Sequence, residues 1–476
     1  MDKRISTGNI GIEFDKHLSL NDNERIIFSG KFGSGKTTFL NDFFNQEGYK
    51  NYHVIKLYPI HYSISSNEDI FEYIKFDILF QLLSQNVECN ATTYSDKELL
   101  PEYIATNLYP ILGKFIKVIP YIGKHINDLA SIWKELKKGY QAFKAKKNDN
   151  ELSQTMNFLK SFINDSIGNP YERNQLSTII NYMLDNIKKN NSSSRNVLLI
   201  DDFDRIDPEH TFRLLNIFSS QCDNQFIAGE KFVFDHIIFV CDINNIRNIF
   251  HHKYGSETDF TGYIDKFYSK QIFKFDIRKE FIEELNIFLS PLRTSRYIND
   301  MAWEFITPII EELINRGEIN LRTAHRFSTI KIQPYSYTIR DAVMRYSNVA
   351  VSVFNVLSAI LGEDDLERII NKYDSMSLMY SIYSPLAYSA GVLFDIISHE
   401  KFKFNINKDS FFDCKIGDYK YTSKPFSDVS NRGYVLRIHF ITNAKTNTDV
   451  QFFPFWEVVK KAFYIRKRYI ISGYRH

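Results

Sequence analysis

Three short stretches of this chain carry residues whose types and spacing can do chemistry together. Gly30-Lys31-Phe32-Gly33-Ser34-Gly35-Lys36-Thr37 spells G-x-x-x-x-G-K-[ST]. Glycines at that spacing let successive backbone N–H groups point inward around phosphate oxygens, and a helix starting there adds its positive dipole end. Lys36 would reach the β- and γ-phosphates of a bound nucleotide, and Thr37 would place its hydroxyl on Mg²⁺. The candidate binding set is therefore Gly30, Phe32, Gly33, Ser34, Gly35, Lys36, Thr37 and Thr38.

The second stretch is Asn196-Val197-Leu198-Leu199-Ile200 running into Asp201-Asp202. Acids at the C-terminal tip of a central strand lie where ligands of open α/β sheets bind. Asp201 is placed to hold the Mg²⁺ shell, usually through water. Asp202 is placed to orient or deprotonate an attacking water. The third stretch, His236-Ile237-Ile238-Phe239-Val240-Cys241, ends in Asp242, with Asn244 and Asn245 just beyond. A polar residue at that tip can sense a γ-phosphate, or it can cap the next helix. The chemistry implied is phosphoryl transfer, which asks a protein for positioning and charge neutralisation.

These residues need a scaffold, and the hydrophobic pattern supplies one. Residues 25–29 form a short apolar run before the glycine loop, and Thr38–Phe44 spaces its large apolar residues as a helix does. A second strand is expected at Tyr52–Tyr58, stopped by Pro59, and an amphipathic helix over 68–85. With the two acid-tipped runs and a further strand at 271–277, apolar strands alternating with helices indicate a parallel sheet covered on both faces. The expected fold class is α/β.

Composition narrows the rest. The chain has 19 glycines in 476 residues, below the roughly 7% usual, yet three of them sit in one loop. Net charge is +2, which gives no global electrostatic reason to bind DNA or an anionic membrane. The four cysteines are far apart and form no C-x-x-C pair, so a reducing cytosol fits better than a disulfide or zinc framework. The N-terminus has no apolar stretch of signal-peptide length, and a cytoplasmic location is expected.

At this point the residues resemble the KAP family of P-loop NTPases, within the AAA+/STAND region of that superfamily. The family's G-x-W-G-x-G-K-T loop corresponds to Gly30–Thr37, with Phe32 in place of tryptophan. Its D-D-L-D-R block corresponds to Asp201-Asp202-Phe203-Asp204-Arg205, which differs only at Phe203. Its sensor block runs from Ile237–Asp242 to Tyr263-Ile264-Asp265-Lys266-Phe267 and the strand at Gln271-Ile272-Phe273. Its N-P-R-x-x-x-R-F block looks like Asn320-Leu321-Arg322-Thr323-Ala324-His325-Arg326-Phe327. The resemblance implies that Arg322 is a second sensor on a helical lid and that Arg205 supplies charge across a subunit interface. It also implies an ATP- and Mg²⁺-dependent ATPase, a homo-oligomer that senses or gates a protein effector, in an anti-phage or mobile-element setting. The catalytic set is then Lys36, Asp202, Asp242, Arg205 and Arg322, with Thr37 and Asp201 on the metal.

The expected parcels are 1–98 and 191–279 for the P-loop NTPase core, 99–190 for a helical insertion, 280–399 for a helical lid and bundle, and 400–476 for a small β-rich element with a basic terminal helix. KAP proteins often carry transmembrane helices in the insertion. Here the most apolar part, Tyr109–Pro120, is broken by lysines and prolines, so a soluble arm is expected over 99–147. Residues 346–362 and 375–394 lack charges, but serines and a proline in the second favour buried bundle helices over a membrane. Asn371-Lys372-Tyr373-Asp374 matches a guanine-reading pattern but follows a helix-like stretch, so ATP is favoured over GTP. Basic clusters at 134–147 and 460–468 offer a nucleic-acid contact; a solvated helix face explains them as well. Two further readings compete with the ATPase: a nucleotide-switched scaffold with little turnover, and a nucleic-acid-stimulated motor.

Overall fold

The computed structural model describes residues 5–49, 51–59, 74–75, 77–79, 81–82, 175–220, 234–333, 335–340, 342–345, 348–401, 412–427 and 434–470. Most of the expected 99–190 insertion and the 134–147 basic cluster lie outside the described residues. Internal contacts divide the chain into two units: Thr7–Asp276, and Met1–Ser6 with Ile277–His476.

The first unit is built on five parallel strands, β1 (Arg25–Ser29), β2 (Tyr52–Leu57), β3 (Arg195–Ile200), β4 (His236–Cys241) and β5 (Phe273–Lys274). They are ordered β2-β3-β4-β1-β5, so β4 lies between the strand that feeds the glycine loop and the strand that ends in Asp201. Helices α1 (Gly8–Leu18), α2 (Lys36–Phe44), α3 (Gln175–Asn190), α4 (Pro208–Ser220) and α5 (Ile243–Tyr254) accompany it. Apart from their first residues, β1, β3 and β4 are buried along their whole length, which is why they read as unbroken apolar runs rather than alternating ones. The edge strand β2 alternates over its second half, with Ile55 and Leu57 buried and Val54 and Lys56 half-buried. Its open side is met by the Gln81 carboxamide, which accepts from Lys56 N–H at 3.0 Å and donates to Lys56 C=O at 2.6 Å.

An aromatic cluster sets α2 against the sheet. Phe14 of α1 is fully buried, and its ring lies 5.0–6.4 Å from those of Phe28, Phe39, Phe43, Phe44 and Phe273. Deleting a buried phenylalanine side chain costs about 3–5 kcal/mol. Phe14→Ala is accordingly expected to lower the free energy of urea unfolding by a corresponding amount. A loss below ~1 kcal/mol would mean that the cluster closes over the gap and does not support α2.

The second unit has one continuous core shared by α6 (Trp303–Arg316), α7 (Val349–Leu361), α8 (Glu363–Ser375), α9 (Pro385–Lys401) and α10 (Phe455–Ile470), together with buried residues of the small β elements. The stretch expected to be a helical lid and bundle, 280–399, also carries a hairpin, β6 (Tyr337–Ile339) with β7 (Ala342–Met344). The charge-free segment 375–394 is not one helix either. It contains β8 (Tyr380–Ser381), and α9 starts only at Pro385, whose ring suits the first turn of a helix. The expected β-rich element is present as β9 (Phe412–Ile416), β10 (Tyr419–Ser427) and β11 (Tyr434–Asn443) in an antiparallel sheet, while β12 (Phe452–Phe453) pairs with β8. Gly417 and Asp418 close the β9–β10 hairpin, Gly417 at φ +55°.

Several residues of two motifs in this unit are engaged in its own packing. Lys372 pairs with Glu318, Asp374 with Lys460, and Asn371 bonds Tyr464, so the N-K-x-D residues are occupied within α8 and its neighbours. In the 460–468 cluster, Phe463 is buried, Lys467 pairs with Glu367, and Arg466 is fully buried against Glu363, Ser358 and Tyr337. A ring and a guanidinium held inside the core are not presented to a nucleic acid. Among the described residues no helix is long and apolar enough to cross a membrane.

Candidate nucleotide site

The glycine loop lies between β1 and α2, as its sequence requires. Gly35 adopts φ +89° as it opens α2, a left-handed conformation that side chains rarely take, and Gly33 lies at φ +72°. At Gly30 the constraint is space: a Cβ there would lie 2.9 Å from the Phe275 carbonyl oxygen. The loop is fastened at its base by Gly30 N–H to Cys241 C=O, 3.0 Å, and by Phe275 N–H to Ser29 C=O, 2.7 Å. Ser34 Oγ donates to Lys31 C=O at 2.7 Å and tightens the turn.

Lys36 is 7% exposed, and its ammonium donates to Gly30 C=O at 2.6 Å and Lys31 C=O at 3.1 Å. Its Nζ lies 5.4 Å from the centre of the exposed Phe32 ring. Thr38 is exposed on the next position of α2. Thr37 Oγ1 donates to Asp201 Oδ2 at 2.7 Å, across 164 positions of sequence. Asp201 is 1% exposed, and its other oxygen accepts from the Asp202 N–H at 2.8 Å. Burial pushes the Asp201 carboxyl above its usual range, while the bonds from Thr37 and the Asp202 N–H, and the Lys36 charge, pull the other way.

Asp202 sits at φ +51° and pairs with Arg205, Nη1 to Oδ2 at 2.7 Å. The two side chains are 33% and 44% exposed. An exposed pair of this kind contributes about 0–1 kcal/mol. Arg205→Ala is therefore expected to change the unfolding free energy by no more than that. A larger loss would show that the pair is a structural clasp. Asp242 caps α5, its Oδ1 accepting from Asn244 N–H at 3.0 Å. Arg322 is exposed in the short helix Leu321–His325 of the second unit, whose N-cap Asn320 accepts from Thr323 N–H. The structure thus brings Lys36, Thr37, Asp201 and Asp202 together within one unit and places Arg322 on the other.

Three residues of this neighbourhood have no role in the sequence reading. Asp204 is 4% exposed and accepts from Asp242 N–H at 3.0 Å and from Asn245 Nδ2 at 3.2 Å. Ser29 Oγ accepts from Ile243 N–H at 3.0 Å. Lys56, half-buried on β2, donates to Asn41 of α2; burial draws its ammonium below the ordinary lysine value, and the Asp201 charge opposes that shift. Each left a faint signal: a lone polar residue ending an apolar strand, a lone cation within one, and a third acid in the D-D-F-D-R block.

A parallel sheet of this order, a glycine loop opening α2 and a hydroxyl–carboxylate pair joining that helix to the tip of β3 define a class: a nucleotide-binding P-loop NTPase. The KAP family P-loop domain matches residues 16–331, well over half of the chain, and the chain belongs to that family. No curated protein matches it.

Proposed function

We propose that the chain binds and hydrolyses ATP with Mg²⁺ and uses the cycle to control an assembly of its own copies with a protein effector. The observation that carries the reading is the 2.7 Å bond between Thr37 Oγ1 and Asp201 Oδ2 beside the Lys36 ammonium. Magnesium is a hard cation that takes oxygen ligands and keeps several waters, so one hydroxyl, one carboxylate and substrate phosphates suit it. Thr37 and Asp201 are that donor pair, and among the described residues no cluster of three or more His, Cys, Asp or Glu offers a rival metal cage. When bound, the metal would neutralise phosphate charge. Lys36 would do the same from the loop, and Asp202 would take up a proton from the attacking water. Arg205, carried next to Asp202, would provide charge to a neighbouring copy, and Asp242 would hold the turn that faces the γ-phosphate.

A second reading is favoured by one observation. Asp202, the residue best placed to act on water, is engaged by Arg205 of the same chain. Hydrolysis would then be slow until another copy or effector draws Arg205 away, and ATP would act mainly as a switch. Phosphate release and particle mass, measured on the same samples with ATP, ADP, DNA and RNA, test both readings. Turnover that rises with protein concentration and is lost in Arg205→Ala supports charge supplied between copies. Turnover that increases in Arg205→Ala supports the switch. Phosphate release no greater than that of Lys36→Ala under every condition rejects hydrolysis. Stimulation by nucleic acid with steep salt dependence would instead favour a nucleic-acid motor.

A further inference from the structure

We propose that Asp204 and Ser29 are positioning residues that clamp the first turn of α5 between the phosphate loop and the acidic motif, so that a phosphate felt at one strand tip is felt at the other two. The proposal rests on the nucleotide reading above. The first N–H groups of a helix have no intrahelical acceptor and must find one elsewhere. At α5 three consecutive ones do so on three side chains. Asp242 N–H donates to Asp204 Oδ2, Ile243 N–H to Ser29 Oγ, and Asn244 N–H to Asp242 Oδ1, each at 3.0 Å.

The acceptors come from different strands. Ser29 is the last residue of β1, immediately before the loop, and Asp204 follows β3, three residues after the metal-site carboxylate. Since β4 lies between β3 and β1 in the sheet, its following helix is gripped from both sides. Asn245 closes the grip, its Nδ2 donating to both the C=O and Oδ2 of Asp204 at 3.2 Å. Phe203 adds an apolar tie, its ring 5.3 Å from that of Phe239 on β4.

Burial makes the clamp more than a cap. Ser29 is 6% and Asp204 4% exposed, so water does not readily replace either acceptor. A carboxylate is also a costly choice for a cap that serine or asparagine would fill. Its advantage is that it accepts from several donors at once, here a backbone N–H and a carboxamide. Because these three N–H groups already have acceptors, the start of α5 does not act as an anion cradle. It works as a joint.

Hydrogen exchange on the full-length chain tests this, comparing Mg²⁺ with ADP against Mg²⁺ with a non-hydrolysable ATP analogue. In the wild type the analogue should slow exchange in both segments, 198–206 and 242–250. In Asp204→Ala, with analogue affinity within threefold of wild type, the slowing at 242–250 should fall at least threefold while that at the loop, 30–38, is retained. Ser29→Ala serves as the second variant should Asp204→Ala not fold, and it should uncouple 242–250 in the same way. The clamp is rejected if either folded variant keeps the wild-type response in both segments. It is equally rejected if the wild type binds the analogue and only one segment responds. Lys36→Ala is the control: analogue binding as tight as wild type there would sink the nucleotide reading itself.

Discussion

Lys36→Ala is expected to weaken ATP binding at least a hundredfold and to reduce phosphate release to background. Lys36 is 7% exposed and its ammonium donates to two loop carbonyls, so it is held inside the glycine loop. Hydrogen bonds to charged groups are worth about 1.5–3 kcal/mol each, and about 1.4 kcal/mol is a tenfold change in affinity. Losing two such bonds to phosphate therefore accounts for the expected size. The substitution also leaves the Gly30 carbonyl without its donor. Lys36→Arg is expected to fail as well, because a planar guanidinium does not reproduce a compact ammonium on a flexible stem. Titration with a fluorescent ATP analogue decides the matter. An affinity within threefold of wild type in the alanine variant would remove the loop from the binding site.

Asp202→Asn is expected to separate hydrolysis from binding. General-base action contributes about 10²–10⁴-fold to rate, so turnover should fall by that factor while the analogue binds within about threefold of wild type. The geometry motivates the split. Asp202 is a third exposed, whereas its neighbour Asp201 is buried and bonded to Thr37. Asp202 thus keeps part of its carboxylate open to solvent beside its pairing with Arg205, while Asp201 is turned inward to Thr37. Single-turnover phosphate release alongside binding measures both quantities. Should turnover in the asparagine variant stay within threefold, Asp202 has no part in the chemical step.

The parts of this site that were legible in sequence are those whose physics is local. A left-handed Gly35, a lysine opening α2 and an apolar strand before them are neighbours in the chain, so spacing alone reveals them. The acid pair is legible because a buried parallel strand reads as an apolar run and its end is marked by the first charge. The basic cluster at 460–468 was ambiguous for the opposite reason. Helical periodicity shows which residues share a face, but not that Glu363 and Glu367 of α8 wait opposite Arg466 and Lys467.

Sequence by itself determined a phosphate loop at Gly30–Thr37, acids at the end of β3, an α/β sheet and a family. Tertiary structure alone decided which of those residues meet. Parallel strands are joined by long crossovers, and nothing local sets the order in which they pair. The order β2-β3-β4-β1-β5 is what brings Thr37 to Asp201, and Ser29 and Asp204 to the start of α5. It also gave Asp204 a position and Arg205 a partner, where the sequence showed only an acidic block.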